Sequence, residues 1–380
     1  MRKSGTAALV ALVLIAAVVF AGCKVKGPTS NLVTGPSVAD RAGISVGVDL
    51  LWESDAQRNA DLDAVVKAGA KWIAIDVDWK SIQGDGPLSF RWDRGIDATV
   101  IAARLHGLKI LADITYSPPW ARSADCPAFE ANSGHCFPAD AEAYGRFAGA
   151  AAKRYGANSD NPLLRNSISA WQLWNEPNHQ EFSQPRPDPG KYAAMVKSAY
   201  WYIKAADRSA TVITGGTAPA GDAADGTDYS PATWLKLLYQ NGAGGQFDGV
   251  AHHPYMFPTN PLEEHPWNAF TQTRTLHDIM VSHGDGAKKI WGTEMGAATG
   301  SDTVDPLPLT EAQQAQWVRD YYLGWNTTFR DFTGPLIWYS LRDQSPNPRD
   351  KWRNLGLIRF DGSAKPSYLA YKQVMTNGVG

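Results

Sequence analysis

Short apolar stretches alternate with amphipathic helical stretches along most of this chain, and this alternation limits the possible folds more than any other feature. Eight stretches have the length and apolar character of buried strands: Ile44–Leu51, Trp72–Asp78, Lys109–Thr115, Ile168–Asn178, Thr211–Gly215, Phe247–His252, Lys289–Gly296 and Pro335–Ser340. Nearly continuous apolar strands separated by helices are typical of a parallel sheet that is covered by helices.

Helical stretches separate these strands. They are Asp55–Ala68, Arg94–Leu105, Ala139–Tyr155, Lys191–Ala206, Pro231–Tyr239, Phe270–Ser282, Thr310–Trp325 and Ser367–Val374. Eight strand–helix units in roughly 330 residues favour a (β/α)8 TIM barrel in the α/β class, which we place at residues 44–380. No G-x-G-x-x-G motif follows the first strand, which disfavours a dinucleotide-binding sheet.

The fourth predicted strand ends abruptly in Asn175-Glu176-Pro177-Asn178. Pro177 cannot donate to a sheet ladder, so strand pairing should stop there and leave Glu176 at the carboxyl end of a buried strand. A carboxylate beside Trp171 and Trp174 is costly to keep charged, which favours the protonated form that a general acid needs. The alternative is a glutamate that caps a helix or pairs with an arginine.

The seventh predicted strand has the same pattern. It starts with apolar residues, and Glu294 stands near its end, two positions before Gly296. The carboxyl ends of the strands of a TIM barrel meet on one face, where the active sites of such barrels lie. Glu176 and Glu294 are therefore predicted to share that face. Two such carboxyl groups form the pair that hydrolyses glycosidic bonds.

The sequence WNEPN, followed about a hundred residues later by TEMG, resembles the clan A glycoside hydrolases, in particular the family 39 xylosidase-like and family 5 cellulase-like enzymes. In that clan the acid/base glutamate follows an asparagine after the fourth strand, and the nucleophile ends the seventh. The resemblance implies a retaining hydrolase in which Glu176 is the acid/base and Glu294 the nucleophile. No cofactor is implied by these steps.

The same resemblance suggests roles for four further residues. Asn175 corresponds to the asparagine that holds the sugar 2-hydroxyl, and Trp338 to the tryptophan that forms the floor of the sugar subsite. His253 and Tyr255 match the sixth-strand H-x-Y motif, whose tyrosine hydrogen-bonds the nucleophile. His252 has no counterpart in the motif and is expected to be a core histidine.

Other polar and aromatic residues at strand ends are candidates for sugar contacts, because such side chains bind hydroxyls and stack on sugar rings. They are Asp49, Trp79, Trp120 and Arg342. Many clan members carry an arginine near the end of the second strand, but the stretch WIAIDVDWK has none. Arg342, at the end of the eighth strand, is the predicted substitute.

The charge of the chain disfavours nucleic acid as a partner. The net charge is −2, and no basic block stands out. We expect a monomer that acts on a cell-surface or extracellular oligosaccharide or polysaccharide. Two alternatives remain open: a transglycosylase that uses the same two glutamates, and a carbohydrate-binding surface protein without catalytic activity.

The amino terminus has the pattern of an export signal. Met1-Arg2-Lys3 carries positive charge, and the apolar run Ala7–Phe20 is too short for a typical membrane span. Ala21-Gly22-Cys23 resembles the end of a bacterial lipoprotein signal, which implies that lipid on Cys23 anchors the chain to the membrane. Residues 24–43 then read as a flexible tether. The alternative is an ordinary secretion signal, and both place the chain outside the cytoplasm.

Three cysteines are present. If Cys23 carries lipid, Cys126 and Cys136 remain as a pair in an oxidising compartment, where a disulfide is expected. The alternative is a metal site that also uses His135. No further cysteine or carboxylate cluster completes such a site, so no metal is expected.

Overall fold

The computed structural model describes residues 36–93, 95–127, 134–256, 258–300 and 308–379. The predicted signal, Cys23 and most of the predicted tether lie outside these described residues. Within the described part of the chain, no helix has both the length and the apolar character needed to cross a bilayer.

Eight parallel strands form a closed barrel in which each strand pairs with the next in sequence and the last pairs with the first. They are β1 (Ala42–Ser45), β2 (Trp72–Asp78), β3 (Lys109–Thr115), β4 (Ile168–Asn175), β5 (Val212–Gly216), β6 (Gly249–His252), β7 (Lys289–Met295) and β8 (Thr333–Tyr339). The predicted TIM barrel is confirmed. All eight strands end on one face, so the loops after them can supply a common site.

Helices connect the strands. In the described residues they are α1 (Asp55–Lys67), α2 (Trp79–Ile82), α3 (Ile96–Leu105), α4 (Ala141–Tyr155), α5 (Pro189–Ala206), α6 (Pro231–Gln240), α7 (Thr273–Ser282), α8 (Glu311–Thr327) and α9 (Pro366–Asn377). Thr310 and Gln313 form a capping box at the start of α8.

Buried tyrosines fasten several helices to the barrel. Their hydroxyl groups donate to strand carbonyl oxygens in four places: Tyr144 to Ile114, Tyr192 to Leu173, Tyr322 to Leu336 and Tyr371 to Gly43. Each ring adds apolar contact area. Each hydroxyl is buried away from water, and the strand carbonyl oxygen satisfies its hydrogen bond.

Side chains alternate between the two faces of each strand. On β2, Ile73, Ile75 and Val77 pack outward against the helices. The inward-facing apolar residues form a separate cluster that fills the amino-terminal part of the barrel interior: Trp72, Leu111, Ala170, Ile213, Ala251 and Ile337. We call this cluster the apolar plug, because it closes one end of the interior. Polar inward-facing residues further along the strands are therefore accessible only from the carboxyl-terminal face.

The first strand lies earlier than predicted. It covers Ala42–Ser45, and Val48–Leu51 forms a short 3-10 helix instead of the second half of a strand. Gly47, with φ of 77°, breaks the extended backbone between them. Arg41 is buried and donates to the Thr333 carbonyl oxygen over 2.8 Å. The folded domain therefore begins before residue 44, inside the predicted tether.

A disulfide joins Cys126 to Cys136, as predicted, with their Cα atoms 5.7 Å apart. It closes a short loop after β3, and such a bond contributes about 2–3 kcal/mol to stability. Because both sulfur atoms are used in the bond, the alternative metal site with His135 is wrong.

Candidate active site

An irregular backbone at the end of β4 positions Glu176. Trp174 and Glu176 have φ angles of 76° and 42°, in the left-handed region. That region costs a residue other than glycine about 1 kcal/mol or more. The Glu176 N–H donates to the Gly216 carbonyl oxygen over 2.9 Å, and the Trp174 indole donates to the Phe182 carbonyl oxygen over 2.8 Å. These bonds hold the strained turn and, with it, the direction of the Glu176 side chain.

Asn178 anchors the turn from the other side. It is fully buried, and its side-chain nitrogen donates to the carbonyl oxygens of Ala218 and Tyr229 over 2.9 and 2.8 Å. Its side-chain oxygen accepts from the Ala218 N–H over 2.8 Å. The second asparagine of WNEPN therefore has a structural role, which the sequence analysis did not identify.

The two glutamates meet at one histidine. His253 Nδ1 lies 3.0 Å from Glu176 Oε1 and 3.9 Å from Glu294 Oε2. These oxygens can therefore be at most 6.9 Å apart, which is the sum of the two distances. Carboxyl groups about 5–5.5 Å apart allow direct attack on a sugar, whereas about 6.5–9.5 Å leaves room for a water molecule between them. This limit applies to one oxygen atom of each carboxyl group, and it is compatible with the narrower range.

Tyr255 fixes the second carboxylate, because its hydroxyl donates to Glu294 Oε2 over 3.0 Å. This is the hydrogen bond that the H-x-Y motif predicted. The bond uses Oε2 of Glu294, and Oε1 does not accept from the Tyr255 hydroxyl.

Burial and neighbouring charges set the protonation of this cluster. Burial lowers the pKa of His253, but the Glu294 and Glu176 carboxylates raise it by more, so the net shift is upward. Burial raises the pKa of Glu294 and the charge of Glu176 adds to the rise, while His253 and the Tyr255 hydrogen bond oppose it. The net rise means that Glu294 ionises at a higher pH than an exposed glutamate does.

Gly216, at the end of β5, makes room for the histidine. A Cβ atom added to Gly216 would lie 2.0 Å from His253 Nε2 and 2.7 Å from Thr293 Oγ1. Any larger residue would therefore displace the imidazole from both glutamates. The pair Gly215-Gly216 at a strand end is a sequence signal for such a close approach of a side chain to the backbone, and it was not recognised from the sequence.

Asn175 lies beside this cluster, at the last position of β4. Its side-chain nitrogen is 3.4 Å from the Tyr116 hydroxyl, and Oδ1 has no hydrogen-bond partner within the described residues. That oxygen can accept a bond from a ligand hydroxyl. Tyr116 was missed as a site residue, although it follows the third strand directly.

Trp338 was predicted to form the floor of the sugar subsite, and this prediction is wrong. Its side chain is fully buried, and its indole donates to the Leu355 carbonyl oxygen over 3.2 Å. Ile337 points into the barrel, so Trp338 points outward, toward the helices. Tyr339 has the inward direction instead, and burial followed by the charge of Glu294 raises its pKa. It is therefore the aromatic residue of β8 that lies near the carboxylates.

Trp79 is also a core residue, contrary to prediction. It is fully buried, its indole donates to Gln83 Oε1 over 2.6 Å, and its ring stacks on Phe147. Trp120 packs edge-on against Trp79 and donates to the Gln83 carbonyl oxygen over 2.7 Å. It stays half-buried, and no described contact joins it to either glutamate.

His252 and Asp49 differ in burial, and the sugar contact of Asp49 stays a prediction. His252 is a core histidine, as predicted: Nδ1 is 2.9 Å from Thr217 Oγ1, and Nε2 is 2.9 Å from the Ala269 carbonyl oxygen. Burial lowers its pKa to about 4, so it is neutral near pH 7. Asp49 is exposed in the turn after β1, and its charge acts on Asp76 and Tyr339.

Arg342 does not replace the missing second-strand arginine. Its guanidinium donates to Asp61 Oδ1 over 2.6 Å, on α1, where Asp61 is 2% exposed. No described contact joins it to Glu176 or Glu294. The buried Asp61 carboxylate holds this guanidinium, so the described contacts give no support to the predicted sugar contact.

We expect Arg342→Ala to lower the free energy of unfolding by roughly 3 kcal/mol, because it leaves the Asp61 carboxylate buried without its cation. Urea titration of the variant measures this loss. The exposed Arg349→Ala is the matched control and should leave the midpoint unchanged. A variant with wild-type stability and a greatly increased KM would instead restore the substrate role.

Comparison with solved structures shows a widely shared barrel. The fold is similar to a family 39 glycoside hydrolase from Bacteroides cellulosilyticus WH2, with a TM-score of 0.69 and 21% identity over 89% of this chain and 63% of that one. A monomeric β-xylosidase from Caulobacter crescentus CB15 gives a TM-score of 0.64 and 19% identity over 90% and 69%. The GH5_18 enzyme from Streptomyces cattleya, solved with GlcNAc, gives 0.60 and 16% over 89% and 80%.

These solved structures belong to the families that the sequence motifs resemble. The chain spans less than two thirds of the length of the first of them. No family model matches the sequence, and neither does any curated protein. At such low identities the likeness shows the fold, and the chemistry has to be argued from the site.

Proposed function

We propose that this barrel is a retaining glycoside hydrolase in which Glu176 is the acid/base and Glu294 the nucleophile. One observation carries the proposal: two glutamates from the ends of β4 and β7 meet at His253, with Tyr255 holding one of them. Glu176 Oε1 and Glu294 Oε2 lie at most 6.9 Å apart, which is compatible with direct attack by a carboxylate. The solved structures with this fold include glycosidases, which supports the same reaction class.

In the first step, a Glu294 oxygen attacks the anomeric carbon while the bond to the leaving oxygen breaks. Glu176 gives its proton to that oxygen. The hydrogen bond from Tyr255 to Oε2 makes Oε1 the attacking atom. In the second step, Glu176 takes a proton from water, the water oxygen attacks the same carbon, and Glu294 leaves as a carboxylate. His253 lies between the glutamates, with Nδ1 within hydrogen-bond distance of Glu176 Oε1 and 3.9 Å from Glu294 Oε2, so it helps to position both carboxyl groups.

The product formed first should have the same anomeric configuration as the substrate, since two displacements at one carbon restore it. Proton NMR recorded during the first minutes of hydrolysis, before mutarotation, measures this directly. Aryl β-xylosides and β-glucosides are suitable first substrates, because β-xylosidases are among the proteins that share this fold. An inverted first product would mean that a water molecule sits between the two carboxyl groups, and it would reject the mechanism.

We also propose that the mature protein acts on saccharides outside the cytoplasm, held to the membrane by lipid on Cys23. The sequence of the first 23 residues supports this. Cys23→Ala should move the protein from the membrane fraction to the soluble fraction, as seen by immunoblotting, whereas Ser30→Ala in the following segment should not. Equal membrane retention of Cys23→Ala and wild type would contradict lipid anchoring.

A further inference from the structure

Asp76 lies in the polar layer of the barrel interior. It follows the inward-facing residues Trp72 and Ala74 at the spacing that keeps a strand residue on the same face. In the sheet register, Asp76 is opposite Asp113 on β3, and Asp113 is opposite Gln172 on β4. This layer lies beyond the apolar plug, so it opens toward the face that carries Glu294.

The charges around Asp76 place it beside the glutamate pair. After burial, the charge of Glu294 is the largest cause that raises the pKa of Asp76, to about 7. Burial, then Asp76 and Glu294, raise the pKa of Asp113 well above its ordinary value. Tyr339, the inward aromatic residue of β8, is also influenced by both Glu294 and Asp76. Asp76 therefore lies in the inward-facing layer on which the charge of Glu294 acts.

This space holds several acidic side chains. No lysine or arginine is among the described charges that act on Glu294, Asp76 or Asp113. His253 contacts the glutamate pair, and Arg342 is held by Asp61. Because the pKa of Asp76 is about 7, a ligand that enters above that pH meets its carboxylate without a lysine or arginine beside it in the described part of the chain.

Polar atoms in the same layer have unused hydrogen-bonding capacity. Asp113 Oδ2 accepts from Gln172 Nε2 over 2.8 Å, but Asp113 Oδ1, Gln172 Oε1 and Thr115 Oγ1 have no partner within the described residues. All three residues are more than nine-tenths buried. Asp76 itself is half-buried and receives no hydrogen bond from a described residue. The layer therefore contains side-chain oxygen atoms that can still accept hydrogen bonds from a ligand.

We propose that Asp76 determines the charge specificity of the site: its carboxylate accepts hydrogen bonds from the hydroxyl groups of the sugar next to Glu294 and rejects sugars that carry a carboxylate. This inference rests on the proposed function and specifies its substrate class as uncharged sugars. Above pH 7 Asp76 is mostly ionised, because its pKa is about 7. Hydroxyl donors then suit this acceptor-only group, whereas a sugar carboxylate would face like charge in a confined space. Specificity then comes from the repulsion as well as from the attraction.

Matched aryl glycosides test this specificity in the full-length protein, assayed about one pH unit above the Asp76 pKa of about 7 so that its carboxylate is ionised. 4-Nitrophenyl β-glucoside and β-glucuronide differ only at C6, where the second carries a carboxylate, and β-xyloside lacks that carbon. We expect kcat/KM for the better of the two neutral substrates to exceed that for the glucuronide by about 100-fold or more. Comparable values for the glucuronide and the neutral substrates would overturn the inference while supporting the hydrolase itself.

The variant Asp76→Asn links the selectivity to this residue. It keeps the size of the side chain but removes the charge, so kcat/KM for the neutral substrate should fall by about tenfold while the preference for neutral over anionic sugar narrows by a similar factor. Asp63→Asn, on the exposed surface of α1, changes the net charge equally and should alter neither value.

The readouts separate the possible failures. An unchanged preference in a folded Asp76→Asn variant, judged by a wild-type melting temperature, would overturn the role of Asp76. A loss of turnover with the preference retained would mean that Asp76 supports the site only structurally, and would also overturn it. No turnover of any aryl glycoside by the wild type would overturn the proposed function and, with it, this inference.

Discussion

Replacing Glu294 with alanine should lower kcat by about four orders of magnitude or more, because an enzyme that loses its nucleophile keeps only its binding and electrostatic contributions. The variant should remain folded, since the described polar contacts of this side chain are with Tyr255 and His253 inside the site. Steady-state kinetics on an aryl glycoside measures the loss. Glu263→Ala, in the exposed loop after β6, is the matched control and should keep full activity.

Azide makes this prediction specific to the nucleophile. Glu294→Ala leaves a space on the side of the sugar from which the carboxylate attacked, and azide can enter it and displace the leaving group once. The product should be the glycosyl azide of inverted configuration, identified by NMR, with turnover partly restored. A Glu294→Ala variant with near wild-type kcat, or one that gives a retained azide product, would assign the nucleophile elsewhere.

Replacing Glu176 with alanine should give a loss that depends on the leaving group. A general acid contributes about 10²–10⁴-fold, and this contribution matters when the leaving oxygen needs a proton. We expect kcat/KM to fall within that range for alkyl glycosides and by much less for 2,4-dinitrophenyl glycosides. Kinetics over a series of leaving groups gives a Brønsted plot, which should be much steeper for the variant than for the wild type.

The product with azide distinguishes Glu176 from Glu294. In Glu176→Ala the intermediate on Glu294 still forms, and azide attacks it in place of water, so the glycosyl azide should retain the configuration of the substrate. Asn175→Ala, at the neighbouring position, is a useful comparison because it removes the proposed sugar contact and leaves the carboxyl group of Glu176 in place. Equal losses for good and poor leaving groups in Glu176→Ala would reject the acid role.

The barrel and its two glutamates could be predicted from local features of the sequence. Apolar strands that alternate with helices have few packing solutions, so the pattern leads to a closed parallel sheet. Pro177 after Glu176 and Gly296 after Glu294 mark strand ends, and strand ends share one face of such a barrel. The motif around Tyr255 then led to its hydrogen bond with Glu294.

The residues that were wrongly placed depend on information that is not local. Trp338 and Tyr339 are adjacent aromatic residues, and a shift of one position exchanges the inward and outward faces of a strand. Arg342 meets Asp61 across 281 positions of sequence, so nothing beside Arg342 indicates its partner. Asp76 was read as part of an apolar strand, because its inward direction becomes clear only when the register with Asp113 is known.

The pairing of β1 with β8 bears on the order in which this chain can fold. Arg41 bonds to Thr333, and Gly43 receives the hydroxyl of Tyr371, so the first strand completes its contacts only with segments near the other end of the sequence. During synthesis the growing chain can form strand–helix pairs early, but the ring has two open strand edges until β8 emerges. Such edges invite pairing with other chains, and contacts this distant in sequence slow folding. Chaperones that cover the edges of β1 and of the newest strand would therefore matter most just before the last fifty or so residues are made.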